Sequence, residues 1–289
     1  MSLAVRLPDR AMEFAFGAED HRAIAQLAYA EAGIVLAEGK AQLVYGRLVR
    51  RVRACGVDSF ARYVALLDRD PAERTRAVDA LTTNHTSFFR ESHHFTHFMA
   101  KVWPMLDDRL AAGGRVRLWS AGCSSGEEPY SLVMAALGKD RRAADHLARR
   151  DFRVLATDLS SDVLSVARAG RYSPEVIRSI PAELRASWVQ RVDEEEVRAE
   201  IRAEVRALIA FRQLNLLRAW PMRQPFDAIF CRNVMIYFDD AAKTRLQTRL
   251  ADSLAPGGFL YLGHSERLMP EVAPRFTCVG RTKFRKVGR

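Results

Sequence analysis

The chain has 289 residues, room for about two domains at roughly 150 residues each, and its 48% hydrophobic and 28% charged content is that of a folded globular protein rather than a disordered one. No apolar run approaches the ~18 residues of a membrane span, and Cys55, Cys123, Cys231 and Cys278 lie far apart with no CxxC pair, which argues against a zinc site or a disulfide framework. Forty-five Lys and Arg against 35 Asp and Glu leave a net charge of +10, which favours an acidic partner without choosing among nucleic acid, a membrane surface and an acidic protein.

The opening MSLAVRLPDR has no basic segment followed by an apolar core, so a cytoplasmic location with reduced thiols is expected. Residues 20–90 carry helical periodicity and no convincing strand. Ile24, Leu27 and Ala28 share a face ahead of Gly33. A second helix over 40–54 places Leu43, Leu48 and Val52 near one side and stops at Gly56, and two more are predicted over 59–67 and 72–81. After Gly113-Gly114 the pattern changes. Residues 115–120 (RVRLWS) read as a strand, followed by the turn AGCSSGEEP and a helix over 127–137. A strand over 152–157 precedes a helix over 161–169. A third strand over 226–231 precedes a helix over 241–254 closed by Pro256-Gly257-Gly258, and a fourth strand follows over 259–262. Short apolar strands alternating with helices predict a doubly wound parallel sheet covered on both faces.

One stretch interrupts this alternation. From 197 to 211 the odd positions are Val197, Ala199, Ile201, Ala203, Val205, Ala207, Ile209 and Phe211, while the even ones begin Arg198, Glu200, Arg202, Glu204, Arg206. The period of two favours antiparallel strands with one wet face. A helix is the rival, because Val197, Ile201, Val205 and Leu208 are also helically spaced among good helix formers.

The first strand–turn–helix carries the most chemistry. Ser120-Ala121-Gly122 and the small residues up to Gly126 let backbone approach a ligand at the carboxyl edge of the sheet, and the next helix offers free N–H groups to an anion. A tight turn that simply needs small residues is the alternative. The GxGxxG dinucleotide fingerprint is absent. Asp158 directly follows the second strand, where an acid can accept hydrogen bonds from both hydroxyls of a ribose, or merely cap the next helix. Turn and acid together suit a nucleoside-bearing ligand without a pyrophosphate, and S-adenosylmethionine fits.

The segments 84–91 (NHTSFFRE), 121–131 (AGCSSGEEPYS), 156–158 (ATD), Asn215-Leu216, 226–238 (FDAIFCRNVMIYF) and 263–266 (GHSE) resemble, in order, those of the CheR-type chemotaxis receptor methyltransferases. The resemblance spans roughly 15–285. It implies an enzyme that moves a methyl group from S-adenosylmethionine to glutamate side chains of chemoreceptors, with S-adenosylhomocysteine as product and no metal. It implies an all-α N-terminal domain (1–90, including the start of a linker) and a Rossmann-like methyltransferase domain (91–289) bearing a small antiparallel β-subdomain near 186–214, which strengthens the strand reading of the alternating stretch. Carried over by residue, cofactor contacts fall on Asn84, Thr86, Arg90, Glu127, Asp158, Asn215, Leu216, Arg232 and Asn233, and catalytic roles on Arg90 and Tyr237.

The second helix carries Arg47, Arg50, Arg51 and Arg53 with no acid between 39 and 57. Arg47, Arg50 and Arg51 share a side, and the resemblance assigns this surface to the acidic methylation helices of the receptor, with a solvated face as the alternative. Family members that bind a peptide tether at the receptor's C-terminus carry a Gly-rich loop in the β-subdomain. Residues 192–197 (VDEEEV) are acidic and lack glycine, so tether binding is not expected. Arg281, Lys283, Arg285 and Lys286 read as a solvated end. His93 and His97 stand one helical turn apart but have no matching carboxylate or cysteine. No nucleic-acid partner, no membrane insertion and a monomer are expected. Two rivals remain: an RNA methyltransferase, disfavoured because Cys231-Arg232-Asn233-Val234-Met235 replaces an Asn-Pro-Pro-aromatic motif, and a catalytically silent cofactor-binding module.

Overall fold

The computed structural model describes residues 12–82, 84–191 and 199–288. The chain divides into two compact units, Met1–Thr82 and Thr83–Arg289. Residues 84–90, grouped by sequence with the N-terminal domain, therefore fold with the second unit.

The first unit consists of α1 (Ala18–Ala32), α2 (Ala41–Ala54), α3 (Phe60–Arg69) and α4 (Pro71–Leu81). Gly33 ends α1 in the left-handed conformation, at φ 68°. Asp70 starts α4 by accepting the N–H groups of Ala72 (2.9 Å) and Glu73 (3.0 Å), with Pro71 pre-set at the first helical position. The buried stripe of α2 is Val44, Leu48 and Val52; Leu43, expected on it, is turned one position away and is exposed. Glu73 is buried against Tyr63, whose hydroxyl donates to it at 2.7 Å, and against Arg51, whose Nε donates at 2.9 Å. Burial raises the Glu73 carboxyl, but these two donors more than offset it, so the group stays below its ordinary value.

The second unit opens with α5 (His93–His97) and α6 (Trp103–Ala111), joined by a π-helical turn over Phe98–Val102. There follow β1 (Val116–Ala121), α7 (Glu127–Leu137), α8 (Arg142–Ala148), β2 (Phe152–Asp158), α9 (Ser161–Ala169), β3 (Arg171–Tyr172), α10 (Pro174–Ile177), α11 (Ala182–Trp188), β4 (Val189–Arg191), β5 (Ala199–Ile201), α12 (Ala203–Arg206), β6 (Ile209–Gln213), β7 (Phe226–Cys231), α13 (Asp240–Asp252), β8 (Leu254–Leu262), β9 (Phe276–Gly280) and β10 (Lys283–Lys286). The main sheet runs β6-β2-β1-β7-β8-β10-β9, parallel from β6 to β8 and antiparallel at β10 and β9. Successive strand residues feed opposite cores: Leu118, Phe230 and Tyr261 pack on one face, and Trp119, Ile229 and Leu260 on the other. Both faces are covered, which is why the central strands read as unbroken apolar runs. The chain proceeds outward from β1 to β6 and then returns to the far side of β1 with β7, so the order reverses between β1 and β7.

Three expectations need correction. The alternating stretch is not one antiparallel element: β3, β5 and β4 form a small antiparallel sheet, α12 makes a helical turn, and β6 joins the main sheet parallel to β2. β5 is buried along its whole length, Glu200 included, and Ala203, Glu204 and Arg206, good helix formers, turn the chain between it and β6. The start of that stretch and the acidic segment 192–197 lie outside the described residues. Pro256-Gly257-Gly258 does not close α13 but lies within β8, where the pairing with β7 shifts register. The C-terminal basic residues are only partly a solvated end: Arg281 and Arg285 are exposed, but β10 pairs with β8, Lys283 and Lys286 are half-buried, and Lys286 Nζ donates to the Leu254 carbonyl at 2.7 Å.

Candidate active site

Most of the residues singled out from sequence converge on the carboxyl ends of adjacent parallel strands, beside the point of order reversal, where open α/β sheets bind ligands. Beyond β1, Gly122 and Cys123 donate to the Thr157 carbonyl at 2.8 and 2.9 Å, and Gly126 donates back to the Cys123 carbonyl at 3.0 Å. Gly122 has φ 79°, and a Cβ there would meet Val234 Cγ2 at 2.4 Å, so glycine is required by both conformation and space. The turn after β1 thus lies directly against the segment after β7.

Asp158 ends β2. Its Oδ2 accepts the Ser124 N–H at 2.7 Å and its Oδ1 the Ser160 N–H at 3.0 Å. Burial raises its pKa, opposed by these backbone donors. The Leu159 N–H also acts on this carboxylate; the acid therefore ties the ends of β1 and β2 together, and its roughly four lone-pair sites leave acceptor capacity for a further donor. Glu127 is buried in the first turn of α7 and accepts Ser125 Oγ at 2.7 Å. Beyond β6, Leu214 N–H reaches the Asp158 carbonyl at 2.8 Å, which brings half-buried Asn215 and buried Leu216 to the end of β2. The backbone turn 84–91 approaches the same edge: Ser124 Oγ donates to the Asn84 carbonyl at 3.0 Å, and Phe89 N–H donates to Ser131 Oγ at 3.0 Å. Thr86 is half-buried on that turn.

Arg90 and Arg232 have contrasting surroundings. The Arg90 guanidinium donates to the His85 carbonyl at 2.9 Å and has no ion-pair partner among the described residues; neither Glu91 nor Glu127 pairs with it. The Arg232 side chain is only 3% exposed, with Nη1 on Glu128 Oε2 at 2.9 Å and Nη2 at 3.5 Å from Glu91 Oε2, and it also donates to the Arg90 carbonyl. Arg232 is enclosed and holds Arg90's backbone from beneath. Phe89, Glu91, Ser124 and Asn233 all adopt positive φ of 50–58°. Four non-glycine residues in this sparsely populated region mark a backbone constrained around Arg90 and the two strand ends. Tyr237, half-buried on a 3-10 turn over Met235–Tyr237 after β7, has no hydrogen-bond partner on its hydroxyl among the described residues.

Glu91, His93 and His94 bring three ligand-type atoms within 4.8 Å of one another. Burial first, then the Arg232 charge, pushes the His94 imidazole down to about 3. Burial would raise the Glu91 carboxyl, but Arg232 and His264 more than offset it and hold it at about 2. Glu91 thus supplies beside His93 and His94 the carboxylate that the sequence reading did not find, but the Arg232 guanidinium, 3.5 Å from Glu91 Oε2, opposes a second cation there. Of the acids here, Glu91 and Glu128 bracket Arg232 and Glu266 follows β8; sequence reasoning singled out neither Glu128 nor the roles of Glu91 and Glu266, which it met only within NHTSFFRE and GHSE. The GHSE segment was the available signal for Glu266.

In the first unit the basic helix is largely occupied. Arg47 caps the end of α4 by donating to the carbonyls of Leu81 and Thr82 (2.8 Å to the latter), Arg51 pairs with Glu73, and Arg53 pairs with Glu13. Only Arg50 of the four is exposed with no hydrogen bond or ion pair among the described residues.

A doubly wound sheet with a small-residue turn after its first strand and a buried acid ending the neighbouring strand suits a nucleoside-bearing ligand, and the family match over residues 84–285 makes the class that of S-adenosylmethionine-dependent methyltransferases. Residues 84–285 match the family domain described as CheR methyltransferase, SAM binding domain, and residues 19–82 that described as CheR methyltransferase, all-alpha domain. A probable chemotaxis protein methyltransferase of Rhizobium etli is 41% identical over 260 residues, covering 89% of this chain and 96% of that protein. Chemotaxis protein methyltransferase 2 of Pseudomonas aeruginosa is 42% identical over 265 residues (89% of each chain), and the chemotaxis protein methyltransferase of Escherichia coli is 39% identical over 270 residues, covering 91% of this chain and 89% of its own. The chain belongs to the CheR methyltransferase family.

Proposed function

We propose that this chain methylates glutamate side-chain carboxylates in the cytoplasmic helical methylation region of chemoreceptors, giving glutamate methyl esters and S-adenosylhomocysteine. Asn84, Thr86, Glu127, Asp158, Asn215, Leu216 and Asn233 would hold the cofactor, with Asp158's remaining lone pairs taking the ribose hydroxyls. Arg232 acts from inside, fixing the backbone of Arg90. When bound, S-adenosylmethionine supplies a methyl group activated by a cationic sulfur.

The observation that carries this reading is the unpaired Arg90 guanidinium beside a site fitted for the cofactor. A glutamate carboxylate is already ionised near pH 7, so the chain need not supply a strong base. Its task is alignment: Arg90 can take a carboxylate through two parallel hydrogen bonds, and Tyr237 can orient the same group or face a cation with its ring. Too tight a grip would stabilise the nucleophile, so Arg90 positions rather than activates. Arg50 is the residue of the basic helix left to meet the acidic receptor, and recognition runs through the methylation helices rather than a C-terminal tether.

Incubation with tritiated S-adenosylmethionine and a receptor cytoplasmic fragment tests the proposal. Label must enter the receptor and leave as methanol in mild base. Base-stable label, or label on RNA, refutes it.

A further inference from the structure

We propose that Glu266 is a positioning residue that builds the segment carrying Asn233 and Tyr237; this rests on the methyl-transfer reading above. Glu266 is 8% exposed, and its two oxygens accept four backbone N–H groups. Oε2 takes Gly263 at 2.6 Å and Asn233 at 3.0 Å, while Oε1 takes Val234 at 3.0 Å and Met235 at 2.8 Å. Three of the donors are consecutive. Asn233 is left-handed (φ 58°) and Val234 right-handed (φ −105°, ψ −47°), the alternation that turns successive amides toward one point and forms an anion-binding nest. Here the anion is the chain's own carboxylate.

Among the described residues no Lys, Arg or His pairs with Glu266, unlike Glu73 with Arg51 or Glu91 with Arg232. A buried charge with no counter-ion depends wholly on its hydrogen-bond donors, and the loop amides in turn depend on it. Within the segment itself Tyr237 N–H reaches the Val234 carbonyl at 3.5 Å and Phe238 N–H the Met235 carbonyl at 3.1 Å, so the amides of 233–235 rely on the carboxylate. Close packing transmits the placement. A Cβ on Gly263 would meet the Asn233 amide nitrogen and Nδ2 at 2.6 Å and Glu266 Oε2 at 2.8 Å, and Val234 lies against Gly122 of the turn after β1. The carboxylate thus sets the segment that carries Asn233 and Tyr237, through Val234, against the turn after β1.

The test is a double-mutant cycle on kcat, measured with cofactor and receptor fragment saturating, for the wild-type chain, Glu266→Gln, Tyr237→Phe and the pair. Glutamine keeps one acceptor oxygen and sets an amino group against the loop's donors. A displacement near 1 Å at a reacting group costs on the order of 100-fold, so Glu266→Gln should lose about that factor. If the carboxylate works through Tyr237, adding Glu266→Gln to Tyr237→Phe should cost less than about 3-fold more. Gly263→Ala disturbs the same contacts from the other side and should show the same non-additivity, which covers a Glu266→Gln chain that fails to fold. A Glu266→Gln kcat within about 3-fold of wild type, or single-variant factors that multiply in the pair, overturns the proposal while wild-type turnover leaves the enzyme reading standing. A wild-type chain with no methyl transfer overturns both.

Discussion

Replacing Arg232 by Met distinguishes a buried structural cation from a residue that touches the cofactor. The side chain is 3% exposed and lies between Glu128 and Glu91, which are themselves only 12% and 11% exposed. Removing one partner of a buried ion pair strands the other charge and costs about 3–5 kcal/mol. The lost bond to the Arg90 carbonyl belongs to the same network and is not added separately. In a unit of this size each kcal/mol moves the midpoint by about 2–4 °C, so Arg232→Met should lower the melting temperature by about 6–20 °C. Adding Glu128→Gln relieves one stranded charge and should recover part of that loss. Thermal unfolding followed by calorimetry or circular dichroism is the assay. A midpoint within about 2 °C of wild type, or a further fall when Glu128→Gln is added, would refute the enclosed network.

Asp158→Ala should weaken S-adenosylhomocysteine binding by about 1–3 kcal/mol, the scale of hydrogen bonds to a charged group; titration calorimetry at wild-type affinity contradicts it. Arg90→Ala and Tyr237→Phe should lower turnover more than cofactor affinity, and unchanged kcat in both removes them from the reaction. Arg51→Ala leaves buried Glu73 with only the more exposed Arg76, 3.3 Å away, and the Tyr63 hydroxyl, and should destabilise the first unit by about 1–3 kcal/mol, whereas Arg50→Glu should leave the melting temperature unchanged and lower kcat/KM for receptor; equal effects of the two on stability contradict the assignment. His94 is neutral when folded, with its pKa pushed to about 3, but titrates near 6.5 when unfolded. The unfolded chain therefore binds the extra proton between those values, and stability falls as pH drops from about 6.5 toward 3. His94→Asn should flatten that slope, and an unchanged slope in the variant assigns the acid sensitivity to other groups.

The alternating sheet was legible because its strands are buried on both faces and bounded by turn residues, as around β1, β2 and β7. The helices of the first unit were legible from spacing, yet Leu43 was misplaced by one position, since a stripe of three apolar residues fits two adjacent faces. The stretch ending at Phe211 misled because period two signals a one-sided strand but not its sheet, and β6 satisfies it while lying parallel on β2. The basic helix looked uniform in sequence. Its division into Arg47, Arg51 and Arg53, tied to partners, and exposed Arg50 depends on acids and carbonyls distant in the chain. The same holds for the site: Asp158 stood out by its position after a strand, but Arg232's enclosure depends on two acids from other elements, and Glu266's four donors appear only when β7 and β8 lie side by side.

A crystal structure with S-adenosylhomocysteine tests the central claim most directly. The adenosyl group should lie over the turn from Gly122 to Gly126, with both ribose hydroxyls on Asp158 and the sulfur facing Tyr237. A product bound elsewhere, or bound with its ribose away from Asp158, would contradict the assignment of this sheet edge as the site of methyl transfer.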